Sequence, residues 1–211
     1  MALFGLFRRP PPVRDLGELA DFIDAQAAFV TQKGIYEYAR ARAGHYAKIL
    51  FREPMFLEAV ERSRWSAYPI GLVMVAELVE GILRPQTGAD RWQAAGALSE
   101  IALSVFDRYP VPAPLGAAAW GEVRAELTRR LKRIGLHPVK PAKDIPEPFA
   151  QAYFDLLPVH EQLRGRDFPT TRNYLRVTMV NIHDEFTNRA DTAALASALR
   201  QASEQQAALR S

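Results

Sequence analysis

The sequence predicts an all-α fold, a single globular domain of seven or eight helices around a buried central helix. Apolar residues recur at steps of three and four through every long segment, and no segment alternates apolar and polar residues for long enough to form a strand. The stretch from Tyr68 to Arg84, YPIGLVMVAELVEGILR, is apolar on nearly every side. Such a helix is usually buried, and this one is shorter than the roughly 20 apolar residues of a membrane span. We therefore expect it to be the core helix of a soluble domain.

The composition is that of an ordinary globular protein and limits the chemistry available. Of the 211 residues, 48% are hydrophobic and 24% charged, and the net charge is +3. So small a net charge does not indicate a protein that binds polyanions over its whole surface. The absence of cysteine excludes disulfides, zinc–thiolate sites, iron–sulfur clusters and cysteine nucleophiles. It is typical of a reducing compartment such as the cytoplasm.

Residues 1–14 are predicted to form a flexible tip with a proline spacer, separate from a helical domain of residues 15–211. The tip places an apolar run before two arginines, whereas a secretory signal has the opposite order. The prolines at 10–12 hold this run away from the first helix. We predict reversible attachment to an anionic membrane surface, and folding back into a groove of the helical body is the alternative. The membrane residues of the tip are Leu3, Phe4, Leu6, Phe7, Arg8 and Arg9.

The first predicted helical stretch covers residues 16–51. Asp15 is expected to cap its N-terminus, with Glu18 three residues later at the spacing of a capping box. Gly34 and Gly44 weaken the periodic pattern, so the stretch fits two helices or one bent helix equally well.

Prolines mark the predicted limits of the next two helices. Pro54 opens one of them at the first-turn position that proline tolerates. Pro69 starts or kinks the central helix, and Pro85 with Gly88 ends it.

The second half of the chain contains the remaining predicted helices. Asp90 is expected to cap a helix that reaches Phe106, and PVPAP at 110–114 is the best candidate for a lobe boundary. An amphipathic helix follows over 120–134 and stops at Gly135. Three more helices are predicted. The first runs through residues 149–157, the second begins at a cap at Thr170 or Thr171, and the third runs from a cap at Asp191 to about Leu209.

Sequence templates for catalysis and metal binding are absent. No serine lies in a G-x-S-x-G turn, and neither a Walker loop nor a G-x-G-x-x-G turn occurs. None of the histidines has a glutamate three residues before it, which di-iron helices require. His160 begins an apparent H-E-x-x-H motif, but Arg164 stands at the position of the second histidine. We therefore expect no metal ion and no organic cofactor.

Glu77, Glu80 and His183 are the candidates for a catalytic pocket. The two glutamates share one face of the central helix, and a buried carboxyl there could serve as a general acid. The alternative is an ion pair of Glu80 with Arg84 one turn later, while Glu77 meets a basic partner or the surface. His183 either belongs to this pocket or is stabilised by the dipole at a helix C-terminus.

Basic residues concentrate between Arg124 and Lys143. This stretch holds seven cations against one acid, Glu126, which exceeds what helix capping requires. It forms either a surface for anionic lipid, an acidic partner or RNA, or a plain solvated face. The residues predicted to contact a partner or lipid are Arg129, Arg130, Lys132, Arg133, Lys140 and Lys143.

Aromatic and basic residues also alternate between Tyr36 and Trp65. Such a pattern can stack on RNA and pair with it. Long cationic side chains that cover the edge of a core produce the same pattern. Because no RRM or KH signature accompanies it, we expect a protein partner or a peripheral membrane contact, and RNA is the weaker alternative.

Three segments of the C-terminal half follow a family pattern. They are RRLKRIGLHPVKPAKDI at 129–145, FAQAYFDLL at 149–157 and DTAALASAL at 191–199, and the tip MALFGLFRRP accompanies them. Together they resemble the ubiquinol–cytochrome c chaperone family, whose bacterial members often open with a similar tip. The similar region covers about the last 90 residues plus the tip, and the first half departs from the pattern. The resemblance implies a helical assembly factor that helps newly made cytochrome b enter the bc1 complex.

Two functions of different classes remain open. The first is a non-enzymatic assembly factor, chaperone or adaptor in the cytoplasm or at the inner membrane surface, with exposed basic and aromatic patches and no deep polar pocket. The second is a small, hydrolase-like helical enzyme in which Glu77, Glu80 and His183 converge in one cleft. The missing catalytic motifs and the uneven charge favour the first.

Overall fold

The computed structural model describes residues 11–210. Within that range the chain forms ten α-helical segments, seven of them with ten or more residues, and no β-sheet. The predicted all-α fold is confirmed. The segments are α1 (Leu16–Ala28), α2 (Gly34–Ala43), α3 (Ala47–Leu50), α4 (Pro54–Thr87), α5 (Arg91–Phe106), α6 (Gly116–Leu131), α7 (Ala150–Asp155), α8 (Glu161–Arg164), α9 (Phe168–Arg189) and α10 (Thr192–Arg210).

Helix α4 is the centre of the fold and packs against all six of the other long helices. Its residues Leu72, Met74 and Val75 are completely shielded from solvent. Burying each such side chain contributes about 1.5–3 kcal/mol, and α4 buries residues on every side. The prediction of a buried central helix is therefore confirmed.

The central helix is twice as long as its apolar stretch suggested, because neither internal proline ends it. α4 has 34 residues, begins with Pro54 at its first turn as predicted, and continues through Pro69 and Pro85. A proline inside a helix costs about 3 kcal/mol through its missing N–H and its ring. The buried residues on both sides of Pro69 offset that cost by packing into the core. Gly88, with a φ of 58°, marks the C-terminal end.

One helical region is long and apolar enough to cross a membrane, and it contains α4. In the fold, however, 78% of its most apolar window is buried inside the protein. The other helices thus provide the apolar surroundings that lipid would otherwise provide. This arrangement is compatible with a soluble or a peripheral membrane protein.

The first helical stretch is bent rather than broken. A π-helical turn, Phe29–Lys33, joins α1 directly to α2. Gly34 follows the turn and lets two tyrosines approach the backbone closely: a Cβ at this position would lie 2.5 Å from the hydroxyl of Tyr153 and 2.5 Å from Cε1 of Tyr174. Gly44, with a φ of 52°, ends α2.

The ordered domain begins earlier than residue 15. Val13 is 1% exposed, its N–H donates to the carbonyl of Arg189, and its carbonyl accepts from the N–H of Asp191. The Nε of Arg189 donates to the carbonyl of Pro11. Residues 11–14 are therefore fixed at the junction of α9 and α10, and the boundary predicted at 14/15 is wrong, because one apolar side chain and its backbone found partners distant in sequence.

A single core continues across residues 110–114. These residues connect α5 to α6, and the two helices pack together. Phe106 and Trp120 stack across the connection, with ring centroids 4.2 Å apart. Trp120 also meets Trp65 of α4 edge-on at 5.8 Å, so both helices share the core of α4.

Two of the four predicted N-caps form, and Asp90 takes the N-cap position of α5 without a side-chain hydrogen bond. The side chains of Asp15 and Asp191 accept hydrogen bonds from the N–H groups of Glu18 and Ala194, as predicted for N-caps. The cap predicted at Thr170 or Thr171 is wrong. α9 starts at Phe168, with proline in its first turn, where proline is tolerated.

Candidate functional site

A groove of about 650 Å³ opens beside the C-terminal half of α4. Residues 73–85 of α4, the end of α6, the segment 133–149 and part of α9 form its walls; we call it the α4 groove. Most of its side chains are apolar, and concave apolar surfaces with a few polar groups are the usual form of a binding site. The apolar side chains include Val73, Leu78, Ile82, Ile134, Val139 and Phe149.

Glu77, Glu80 and His183 all line the α4 groove. The two glutamates lie one turn apart on α4, and His183 comes from α9, which packs against α4. No hydrogen bond or ion pair joins any two of these three side chains in the described part of the chain. The structure thus brings the three predicted residues to one groove without linking them.

Glu80 is the buried carboxylate of the groove, and Arg84 neutralises it. Glu80 is 6% exposed. Arg84 donates from Nε to Oε1 at 2.9 Å and from Nη2 to Oε2 at 2.6 Å, a two-bond arrangement that fixes both groups. These hydrogen bonds raise the pKa of Arg84 above its ordinary value. The predicted ion pair one turn along the helix is confirmed.

The same ion pair holds the segment that follows α6. Nη1 of Arg84 donates to the carbonyl oxygen of His137 at 2.8 Å. One turn earlier on α4, Glu77 accepts from Nζ of Lys140 at 2.7 Å. Glu77 therefore meets a basic partner, as the alternative to a catalytic role predicted.

The segment 133–149 is also fastened to α9. Glu147 accepts from Nε of Arg172 at 2.8 Å and from Nη1 of Arg176 at 2.9 Å. The hydrogen bond from Arg172 is the main reason that the pKa of Glu147 lies below its ordinary value. Ile134 and Ile145, which belong to this segment, are buried. The wall of the α4 groove is thus tied on two sides to helices of the core.

Gly135 allows this segment to turn away from α6. Its φ is 82°, which a residue with a side chain rarely adopts. A Cβ there would lie 3.2 Å from Cβ of Ala95 and 3.4 Å from Oε1 of Glu80. α6 ends at Leu131, so the predicted stop at Gly135 lies four residues too late, and residues 132–135 form turns instead. The absence of a side chain at Gly135 leaves room for the buried carboxylate.

His183 lies at the rim of the groove. Its side chain is 44% exposed, and Nδ1 is 3.2 Å from Oδ1 of Asp184. α9 continues to Arg189, more than one turn beyond His183. Because a helix dipole acts within the last turn, the interpretation of His183 as a helix-end cation is wrong.

Half of the predicted basic surface is paired with carboxylates. Glu126 accepts from Arg130 at 2.6 Å and from Arg129, and these hydrogen bonds lower the pKa of Glu126. Lys140 is paired with Glu77. In the folded protein fewer cations of residues 124–143 are unpaired than the sequence of this stretch suggests. The reason is that Glu77 of α4, which is distant along the chain, pairs with Lys140.

Three cations of that predicted surface make no ion pair with the side chains described for residues 11–210. They are exposed, and one of them, Arg133, also lines the α4 groove. The rim of the groove therefore carries one cation that is available to a bound partner. The three residues are Lys132, Arg133 and Lys143.

The arrangement in the groove is suited to binding. Each groove carboxylate is paired with a cation: Glu80 with Arg84, Glu126 with Arg130, and Glu77 with Lys140. The described residues contain no group of three or more His, Cys, Asp or Glu side chains that could hold a metal ion. An apolar wall with paired charges at its edges can bury an apolar side chain and orient the polar groups beside it.

The aromatic and basic stretch from Tyr36 to Trp65 is also partly neutralised. Arg42 pairs with Asp167 at 2.6 Å, and Arg64 pairs with Glu61 at 2.9 Å while lying over the ring of Trp65. Trp65 itself packs against Tyr68 and Tyr109. These side chains stabilise the fold rather than forming an open stacking surface.

Sequence reasoning missed how the groove wall is held. Glu77 and Lys140 are separated by 63 residues, and no periodic pattern relates them. The pairing of Glu147 with Arg172 and Arg176 also joins separate segments. The predicted membrane tip, Leu3 to Arg9, lies outside the described residues.

Comparison of the chain with known protein families, curated proteins and solved structures finds no match.

Proposed function

We propose that this protein is a non-enzymatic helical assembly factor that holds an apolar segment of a client protein in the α4 groove. The observation that carries the proposal is the pairing of all three groove carboxylates beside an apolar wall. Such a groove can bury apolar side chains of a client, and among the described residues every carboxylate that lines it has a cationic partner. Half-buried Ile82 and exposed Val139 are the apolar side chains that a client would cover.

Arg133 favours a client with an acidic group beside its apolar side chains. Arg133 lines the groove and has no carboxylate partner among the described residues. A carboxylate of the client would supply that partner and fix the register of the bound segment. We therefore expect the bound segment to carry an Asp or Glu next to two or three apolar residues.

The place of action proposed for this factor is the cytoplasmic surface of the inner membrane. The resemblance of segments 129–145, 149–157 and 191–199 to the ubiquinol–cytochrome c chaperone family supports cytochrome b as the client. Two of these segments contribute to the α4 groove. Segment 129–145 forms much of the groove wall, and segment 149–157 contributes Phe149. The residues that carry the resemblance are therefore among those that would contact a client.

Photo-crosslinking in the host cell tests the proposal. A photoreactive amino acid in place of Val139, at the rim of the groove, should produce an adduct with newly made cytochrome b. The same amino acid in place of Val177 should produce none, because this residue is 51% exposed, close to the 52% of Val139, but lies outside the groove. An absence of cytochrome b adducts at Val139 would contradict the identity of the client.

A complementation experiment tests the function. Deletion of the gene should lower the amount of assembled bc1 complex in the membrane, measured by the absorbance of cytochrome b. Val139→Asp should fail to restore that amount, whereas Val177→Asp should restore it. An unchanged amount of bc1 complex after deletion would remove this protein from bc1 assembly.

A small hydrolase-like enzyme is the second candidate function. The observation in its favour is that Glu77, Glu80 and His183 line one groove. The purified protein should then hydrolyse activated esters or amides, and Glu77→Gln and His183→Ala should each lower kcat by about 100-fold or more, as for other acid–base residues. Activity that is absent, or unchanged in both variants, would eliminate the enzyme.

A further inference from the structure

A second exposed surface lies at the other end of α4. From Arg40 to Met55 no residue is buried: α2 ends, α3 forms a single turn, and α4 begins. Leu163 of α8 lies beside this stretch, because Nη2 of Arg42 donates to the carbonyl of Arg164 at 2.8 Å. We call residues 40–55 together with Leu163 the α3 corner.

Large apolar side chains of the α3 corner point into solvent. Met55 is 85% exposed, Tyr46 69%, Leu163 67% and Ile49 59%. Single exposed apolar residues are common on soluble proteins, whereas a group of them at one place indicates an interaction surface. Four such residues within one corner therefore need a partner of their own.

The same corner carries an excess of positive charge, most of it unpaired among the described residues. Residues 40–55 hold four cations against one acid, Glu53. Arg40, Lys48 and Arg52 are exposed and form no ion pair with the side chains described for residues 11–210. The fourth cation, Arg42, pairs with Asp167. The partner of this surface must therefore be anionic as well as apolar.

The corner is a preformed surface held by an aromatic cluster. The rings of Tyr36 and Phe51 lie 4.7 Å apart, and those of Phe51 and Phe56 lie 5.1 Å apart. This cluster attaches α3 to α2 and to the start of α4. Because α3 is already folded, binding requires little additional ordering of the chain.

We propose that the α3 corner docks on an anionic lipid bilayer. The proposal rests on the membrane location in the proposed function and names the surface responsible. Interfacial membrane contacts combine aliphatic and aromatic side chains with Lys and Arg, as Ile49, Met55 and Lys48 do here. Single-stranded nucleic acid would instead need several aromatic platforms for successive bases, and of the four exposed apolar side chains only Tyr46 offers one.

Vesicle flotation with the purified full-length protein tests this proposal. Vesicles of phosphatidylglycerol and phosphatidylcholine should bind the protein, and added salt should weaken that binding. Ile49→Ser with Met55→Ser should lower it about tenfold or more through lost apolar burial. Arg40→Gln with Lys48→Gln and Arg52→Gln should lower it about a hundredfold, since each of the three cations near an anionic leaflet contributes about fivefold.

Matched variants elsewhere on the surface control for general effects. Val111→Ser with Val177→Ser removes two other exposed apolar side chains, at 48% and 51% exposure. Lys132→Gln with Lys143→Gln and Arg91→Gln removes three exposed cations that lack ion pairs with described side chains. Both control proteins should bind vesicles within about twofold of the natural protein if the α3 corner is the contact, and circular dichroism should show the same helix content for all.

The experiment has outcomes that would overturn the proposal. Equal binding by the natural protein and both corner variants would do so, as would equal binding to neutral phosphatidylcholine vesicles. Complete loss of vesicle binding on removal of residues 1–10 would also overturn the proposal. The same holds if an RNA oligonucleotide displaces the vesicles by binding to Arg40, Lys48 and Arg52. None of these results affects the client experiments, because the client experiments measure adducts with cytochrome b and the amount of bc1 complex, both through variants of the α4 groove.

Discussion

The carbonyl of Val30 shows how a few residues organise the N-terminal part of the fold. It lies in the π-helical turn and accepts hydrogen bonds from the hydroxyls of Tyr153 and Tyr174, both at 3.1 Å. A π turn leaves carbonyl groups without their usual partners in the helix, and a buried carbonyl must find another donor. The two tyrosines provide it, and Gly34 leaves the space through which they reach the backbone.

Gly34→Ala should destabilise the protein strongly. The new Cβ would lie 2.5 Å from the hydroxyl of Tyr153, so that both tyrosines would have to move and their hydrogen bonds to Val30 would weaken. We expect a loss of about 2–4 kcal/mol in the free energy of unfolding, measured with urea.

Gly96→Ala is the matched control for this substitution. Gly96 lies inside α5, and its added Cβ would meet nothing within 4 Å. This variant should gain about 0.5–1 kcal/mol, since alanine favours the helix. Equal effects of the two substitutions would contradict the role of Gly34.

Buried tyrosines should make the protein sensitive to alkaline pH. Burial raises the pKa of Tyr174 to about 12 and raises those of Tyr68, Tyr109 and Tyr153. The folded state therefore favours the neutral hydroxyls. Their contribution to stability is complete below about pH 10, the pKa of an unfolded tyrosine, and is lost as the pH rises through about 12.

Urea unfolding between pH 8 and 12 measures this dependence. The free energy of unfolding should stay level to about pH 10 and then fall, and Tyr174→Phe should reduce the slope. Ultraviolet absorbance of the folded protein should show a group of tyrosines that ionise late. Ionisation of all tyrosines together near pH 10 while the protein remains folded would contradict the assignment.

At the scale of the helices, periodicity predicted which segments are helical, whereas the prolines were poor predictors of where the central helix begins and ends. The apolar stretch around Leu72 and Val75 predicted the core helix, and spacing predicted the caps at Asp15 and Asp191. Pro69 was predicted to start or kink the central helix, and it does not start it. The effect of a proline on the backbone is local, whereas the packing that outweighs it comes from all sides of the core. Sequence alone does not show how many neighbours a helix will have.

In the candidate site, only the contacts between residues close in sequence could be predicted from the sequence. The pairing of Glu80 with Arg84 follows from helical spacing. Glu77 and Lys140 belong to different elements, and their contact exists only once α6 and the following segment pack beside α4. Counting charges along 124–143 overstated the basic surface for the same reason.

A charge exchange tests whether the Glu77–Lys140 pair holds the groove wall. Glu77→Lys or Lys140→Glu alone places like charges together and should speed amide hydrogen exchange across residues 133–149. The double variant restores opposite charges and should return exchange toward that of the natural protein. Each single variant should lose about 1 kcal/mol or less of global stability, because the pair is partly exposed.

The exchange experiment also has a clear contrary result. If the single variants and the natural protein exchange alike, other contacts hold the wall, with Glu147 and its two arginines as the nearest candidates. If the double variant exchanges as fast as the single ones, the geometry of the pair matters more than its charge.

At the scale of the whole molecule, the two proposed surfaces lie at opposite ends of α4. The α3 corner is beside Met55, the groove is beside Gly81, and a helix rises about 1.5 Å per residue, which places them about 40 Å apart along the axis. The first described residues are held at the α9–α10 junction, near Thr187 at the groove end. The proposed membrane contact and the proposed client contact are thus about 40 Å apart along the central helix.

Single cysteine labels can show which end of α4 contacts the membrane, because the natural sequence contains no cysteine that would also be labelled. An environment-sensitive fluorophore at Met55→Cys should shift to shorter wavelength when anionic vesicles are added, since apolar lipid replaces water around the label. The same fluorophore at Val139→Cys, in the groove about 40 Å away, should show little change. A lipid-borne quencher should lower the emission of the Met55 label alone. Equal shifts at both positions would mean that the protein lies along the membrane with its groove in contact with lipid, and a shift at Val139 alone would place the membrane contact at the groove end.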